Sequence, residues 1–442
     1  MPAKGVKVVP RPWLLRARKR VLLAVIVASF LLRLAVAPYS AGSDIAQFRG
    51  FAESFNDGPI CMYIYSEKQD GWPYNWLYVY PPVMGLILSG LSKLTDASVS
   101  FYWENSVYRV IVEREWIVAV KSVYIAGDAL LVALLYRYWG PLPATAYAAS
   151  PASIYNSSIY GMFDHLAAIP LIASIIAASR SRMAVAGILL GASILVKQTM
   201  LLPALSILFS LAGRGDRRGL ILAVSSMALA VSALVAPFMV LCPSASYSVK
   251  SLVSYLSRIY YPEPIVYSFN GLSSLASYLH RFEGIDSIAL VRSWLPLFIL
   301  FAAISAYTVL RLGSREYGGP LLVKSAALGY MAFTATYWRV NYQYLIPLAV
   351  LSLLSAVESR GIQRIAWLSV FLAVNAWPIM YPVSFWFSVH VEPNALALYI
   401  ASKLSLEVAN VESYVAYSIL LTSIQYLTLA IEKRGATRGS GG

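Results

Sequence analysis

Apolar residues run along this chain in long blocks, and basic residues punctuate the blocks. A helix crossing a bilayer needs roughly 20 apolar residues. Blocks of that order begin near Val21, Ile117, Pro141, Phe163, Leu220, Ala289, Pro320, Ile365 and Ser413. Between them lie basic turns: Arg180 to Arg182, Arg214 to Arg218, Arg311 to Arg315, Arg360 to Arg364, and a tail with Lys433, Arg434 and Arg438. Short loops rich in Lys and Arg stay on the cytoplasmic side. The pattern therefore predicts an all-α polytopic membrane protein.

Two stretches need more than hydropathy. The chain from Arg182 to Arg214 is flanked by basic turns and interrupted by Lys197 and Gln198. Equal flanks require an even number of crossings, which predicts two short helices with Lys197 at the turn on the outer side. The same reasoning makes Arg339 to Gln343 an outer turn. Pro82 to Leu94 is too short for a span, and counting it as one would put Arg180 and Arg182 outside. An interfacial or re-entrant helix is expected there. The result is a bundle of about 12 spans in one integral domain over residues 1–442, with both termini cytoplasmic. A large helical first outer loop is expected over residues 39–80, and further outward segments at Tyr155 to His165, Cys242 to Ser287 and His390 to Val408.

Composition agrees. The chain of 442 residues is 59% hydrophobic and 13% charged, where soluble domains average about 25% charged. A net charge of +14 would suggest nucleic acid in a soluble protein. Here the excess sits between hydrophobic blocks, so the partner it implies is the lipid bilayer and not nucleic acid. The basic N-terminus with Val21 to Pro38 reads as an uncleaved first span. Cys61 and Cys242 fit no metal motif, but both fall on the outer side, where they could pair as a disulfide.

The candidate chemistry gathers on that outer side. Asp44, in S-A-G-S-D-I-A-Q, is a carboxylate placed to take a proton as a general base; the lesser alternative is a helix-capping acid at the membrane edge. P-A-S-I-Y-N-S-S-I-Y-G-M-F-D-H carries Asn156, Tyr160, Asp164 and His165, either a functional cluster or an ordinary polar turn. Asn156-Ser157-Ser158 forms a glycosylation sequon expected to go unused so near the bilayer. Lys197 is expensive between apolar runs unless solvated or paired, and with Gln198 could meet a phosphate or merely snorkel. Arg339 could be a second phosphate ligand, and Arg258 and Arg281 are weaker candidates. Asp128, inside a span, reads as an interhelical hydrogen-bond partner. No nucleotide-binding motif appears.

In order and spacing, G-S-D-I-A-Q at 42–47, Y-P-P-V at 80–83, the Ser150 to Asp164 run and K-Q-T-M at 197–200 resemble the GT-C glycosyltransferases. These are membrane enzymes that use polyprenyl-phosphate sugars. A weaker match lies at 257–264. The likeness is to the dolichyl-phosphate-glucose-dependent glucosyltransferases of asparagine-linked glycosylation, and then to lipid-linked mannosyltransferases. It implies a GT-C-like fold, Asp44 as catalytic base and Lys197 with Gln198 near the donor phosphate. Tyr80, Asn156, Asp164, His165, Arg339 and Gln343 are expected to line the substrate site.

Where the glucosyltransferases carry His-Glu-Lys in a late outer turn, this chain reads V-N-Y-Q-Y, with Arg339, Asn341 and Gln343 as replacements. The donor sugar therefore does not carry over. The expected activity is inverting transfer of mannose or glucose from a polyprenyl or dolichyl monophosphate to a glycan acceptor, outside the cell membrane. No cofactor or metal is expected, although Asp44, Glu53 and Asp164 are the carboxylates that could help bind one. A secondary transporter of a sugar or amphipath is the alternative, disfavoured because no internal repeat is visible. A scaffold subunit is the third.

Overall fold

The computed structural model describes residues 12–66, 77–104, 107–242, 268–314, 318–380, 390–392, 395, 399 and 411–438. Arg258 and the weaker motif at 257–264 lie outside them.

Helix α1 (Pro12–Val36) leads through a short 3-10 turn (Ala37–Tyr39) into α2 (Ser43–Asp57). Ile45, Phe48, Ala52 and Phe55 recur at helical spacing on α2 and are buried, while Glu53, Asn56 and Asp57 face out, so α2 lies flat on the bundle as an amphipathic helix. After α3 (Met62–Tyr65), Pro82 starts α4 (Pro82–Ser92). With 11 residues, α4 is about 17 Å long at 1.5 Å per residue, too short to span. A two-stranded antiparallel hairpin follows, β1 (Val99–Glu104) with β2 (Val107–Val112), in register from Val99↔Val112 to Glu104↔Val107. This small sheet departs from the all-α expectation. Its β-branched and aromatic run, V-S-F-Y-W-E then V-Y-R-V-I-V, is a strand signal that span-length hydropathy passes over.

The main helices follow: α5 (Arg114–Trp139), α8 (Asp164–Ser179), α9 (Met183–Val196), α10 (Leu201–Gly213) and α11 (Arg217–Val240). Beyond a short amphipathic helix α12 (Gly271–Phe282) and α13 (Ile288–Arg292) come α14 (Trp294–Gly313), α15 (Gly319–Thr334), α16 (Leu345–Glu358), α17 (Gly361–Ala376) and α18 (Val411–Arg438). Five helical stretches among the described residues are long and apolar enough to cross a membrane: Lys19–Tyr39, Arg114–Trp139, Arg217–Val240, Ala289–Gly313 and Val411–Thr437. The two short helices expected around Lys197 are present as α9 and α10, joined by a 3-10 turn (Gln198–Met200).

The expected span from Pro141 is instead a broken element. Helix α6 (Pro141–Ala148) stops, α7 (Pro151–Ile154) restarts, and Tyr155–Tyr160 winds as a π-helix. Pro151 causes the break: the residue before a proline is pushed out of the helical region, and Ser150 is extended with its hydroxyl accepting from the Ser153 amide. Tyr155 to His165 is thus a buried, irregular wall and no surface turn, with Asn156, Ser157, Ser158, Asp164 and His165 all fully buried. The sequon asparagine is out of reach of any glycan.

Buried charges pin these elements together. Arg33 of α1 bonds Asp128 of α5 at 3.2 Å, Ser153 at 2.8 Å and the Ala148 carbonyl at 2.7 Å. Asp128 also accepts from Tyr147 at 2.7 Å. This is the interhelical role expected of Asp128, with Arg33 as partner. Cys61 and Cys242 form a disulfide, Cα atoms 5.3 Å apart, tying the first loop to the end of α11. At the opposite end the basic turns converge: Arg180 lies over the Tyr138 ring, Trp139 bonds Glu358, Arg214 bonds the Gly318 carbonyl and Gln363 bonds Glu432.

Candidate functional site

Asp44 stands in the first turn of α2. The cap position is Gly42, and no side chain caps the helix, so the capping reading of Asp44 is not what the geometry shows. Gly42 is there because its missing Cβ makes room: a Cβ would lie 2.6 Å from the Tyr160 ring. The Gly42 amide donates to the Tyr160 carbonyl at 2.8 Å, and the Tyr160 hydroxyl hydrogen-bonds the Asp44 carboxylate. Part of Asp44 still meets solvent. The protein packed around its carboxyl raises its pKa to about 6, opposed by the Tyr160 bond and the Lys197 charge and reinforced by Asp164.

Asp164 and Lys197 form a buried ion pair beneath it. The Lys197 ammonium lies 4.5 Å from the centre of the Tyr344 ring, 5.1 Å from Phe163 and 5.8 Å from Tyr80. A box of three aromatic faces around a cation is favourable where water is excluded, and the carboxylate supplies the counter-charge that burial demands. Lys197 therefore points into the cluster that holds Asp44, and it is already paired. Gln198 turns away to donate to the Val79 carbonyl at 3.0 Å, leaving its own buried amide oxygen without a hydrogen-bond partner.

Other expected residues divide. His165 bonds the Tyr124 carbonyl at 2.7 Å, and the Asn156 side-chain amide donates to the Met162 carbonyl at 3.2 Å while the Asn156 backbone carbonyl accepts from the Gly161 and Met162 amides. His165 thus ties α8 to α5, and Asn156 closes the turn that ends the π-helix. Arg339 is exposed on its turn, and Arg281 is exposed on α12. Gln343 is buried, its amide oxygen unbonded. The turn is held by paired backbone, Phe269 amide to Val340 carbonyl at 2.8 Å and Val340 amide to Ser268 hydroxyl at 3.0 Å. Its tyrosines reach the cluster instead: Tyr342 packs on Tyr160 at 4.4 Å between ring centres, and Tyr344 covers Lys197.

Two residues escaped sequence reading. Lys121, midway along α5 and fully buried, donates to the carbonyls of Ala37 at 3.1 Å, Ser158 at 2.7 Å and Ile159 at 3.0 Å, and to Ser40. It staples the approach to α2 onto the π-helix. A lysine inside a span is the available signal, since intramembrane charge is expensive unless satisfied. Gly161 is the other. Its φ of +88° suits glycine, and a Cβ there would meet Ile45 at 2.3 Å.

Glu53 is exposed and pairs with Arg49 at 3.3 Å, about two turns along α2 from Asp44. Among the described residues, no group of three or more His, Cys, Asp or Glu side chains gathers. Asp44 and Asp164 feel each other's charge, and both feel the Lys197 ammonium, which is ion-paired to Asp164.

No curated protein matches the chain. The family model described as glycosyltransferase family 87 matches residues 78–336, more than half of the 442-residue chain. The match holds Asp164 and Lys197 and begins after Asp44. The chain belongs to glycosyltransferase family 87, a GT-C-type family of membrane glycosyltransferases.

Proposed function

We propose that this glycosyltransferase moves a hexose, mannose or glucose, from a polyprenyl monophosphate to a hydroxyl of a glycan acceptor at the extracytoplasmic face, with inversion. Asp44 is the general base. The acceptor oxygen attacks the anomeric carbon, the carbon–oxygen bond to phosphate breaks, the proton passes to Asp44, and polyprenyl phosphate leaves with the bonding electrons. The observation that carries this reading is a division of labour between two neighbouring carboxylates. Asp44 is only partly buried and its pKa is raised to about 6, while Asp164 is sealed and neutralised by Lys197. A base needs access and a proton affinity near the working pH, and only Asp44 combines the two.

Lys197 fits the phosphate less directly than its place in the sequence suggests. Buried and paired with Asp164, it offers the phosphate no free charge, and exposed Arg339 is the better-placed cation to meet the departing phosphate.

Membranes carrying the chain are incubated with labelled polyprenyl-phosphate mannose and glucose, and the label moved is measured. One donor should transfer, and Asp44→Asn should lower that transfer about 10²–10⁴-fold, the usual worth of a general base. Transfer by Asp44→Asn within a few-fold of the unaltered protein sinks the base assignment. Label that moves from neither donor sinks the donor class.

A further inference from the structure

The groups facing Asp44 come from several elements. Tyr160 comes from the π-helix, Asp164 from α8 and Lys197 from the turn after α9, while Tyr124 of α5 feels both carboxylates. His390, at the edge of the sheet, bonds the backbone at Ala41. Of these, Tyr160 alone bonds the carboxylate and is also built into the backbone that carries it. Its carbonyl accepts from the Gly42 amide at 2.8 Å, its ring fills the space a Cβ at Gly42 would need, and Tyr342 backs the ring at 4.4 Å. Lys121 bonds the segments on either side, Ala37 to Ser40 and Ser158 to Ile159. Hydroxyl and carboxylate are therefore held in register from both ends.

We propose that Tyr160 is the positioning residue of Asp44: its hydroxyl donates to the carboxylate, fixes its orientation and keeps it ionised for proton abstraction. The inference rests on Asp44 being the base. The π-helix is what makes the arrangement possible. Its i→i+5 bonding widens the turn and so rotates the side chains that follow, and such segments are frequent at functional sites. Tyr160 is the last residue of the π-helix, directly before left-handed Gly161.

Tyr160→Phe keeps the ring, the Tyr342 contact and the backbone bond, and removes only the hydroxyl. Transfer of the sugar label from the donor the protein uses is measured against pH in membranes carrying the full chain. A hydrogen bond to a charged group favours the charged form. Its loss should move the acid limb of the profile to higher pH and lower the rate at pH 7 about tenfold, in line with a charge-assisted bond. KM for the donor should stay unchanged. An acid limb at the original pH overturns the proposal whatever the rate, because a merely structural tyrosine would lower activity at every pH alike. A raised KM with unchanged kcat overturns it too. Asp44→Asn separates the readings. If it is inactive and Tyr160→Phe keeps the original profile, only the tyrosine assignment fails; if Asp44→Asn is active, the base assignment has failed beneath it.

Discussion

At the residue scale, environment decides which of two similar groups does which job. Asp44 must be ionised to accept a proton, and the protein around it raises its pKa to about 6. Activity should therefore be full above that value and fall as pH drops through about 6. His390 titrates lower, pushed down to about 4 by burial, so it does not account for such a limb. A rate constant across pH 5–8 tests this, and a flat profile rules Asp44 out as the titrating base. Lys197 and Asp164 make a different prediction. Removing one partner of a buried pair strands the other, at a cost of about 3–5 kcal/mol. Lys197→Met should lower thermal stability sharply, and Lys197→Met with Asp164→Asn should recover most of it. Equal losses in the single and double variants would show that the two side chains are not coupled. The identity of these acids and bases was legible in the sequence, because each is a polar residue where apolar ones are expected. Their pairing was not: Lys197 was expected to meet a phosphate, and only the fold brings Asp164, 33 positions away, against it.

At the element scale, hydropathy located the helices but not their interruptions. The short helices α9 and α10 follow from charge at both flanks and a break at Lys197. With 14 residues, α9 is about 21 Å long against a hydrocarbon core of about 30 Å. A helix of that length cannot cross the core, so Lys197 at its end is held among protein groups and not in the headgroup layer. The π-helix and the left-handed Gly161 leave little trace in composition, since both arise from fitting Tyr160 and Asp164 around α2. Gly161→Ala tests that fit. Alanine strains the backbone at φ +88° and drives a methyl into the Ile45 side chain, so the seat of α2 against the π-helix is disturbed. Transfer should fall along with stability. Unchanged activity would mean that the position of α2 is not critical. The disulfide acts on the same element from its other end. Closing a long loop stabilises by about 2–4 kcal/mol, so reduction, or Cys61→Ser with Cys242→Ser, should lower the thermal midpoint. A midpoint that stays put would show that the link restrains nothing.

At the scale of the whole molecule, charge and chemistry segregate to opposite ends. Arg180, Arg214, Gln363 and Glu432 belong to one end, tied by contacts among α5, α8, α10, α16, α17 and α18. Asp44, Tyr160, Lys197, the disulfide and the β1–β2 hairpin belong to the other. By the positive-inside rule the first end is expected in the cytoplasm and the second outside, and a disulfide suits an oxidising exterior. Exposed Trp103 at the hairpin, at 73%, provides one reporter, and Ser181 between Arg180 and Arg182 provides the other. With the native cysteines joined, Trp103→Cys in intact cells should react with a membrane-impermeant maleimide, and Ser181→Cys should react only after the cells are opened. The reverse labelling would turn the molecule over and put the Asp44 cluster in the cytoplasm. A glycosyltransferase there would meet nucleotide sugars, and the lipid-linked donor would lose its main topological support. The sidedness of these two cysteines therefore bears on the donor class as well as on the fold.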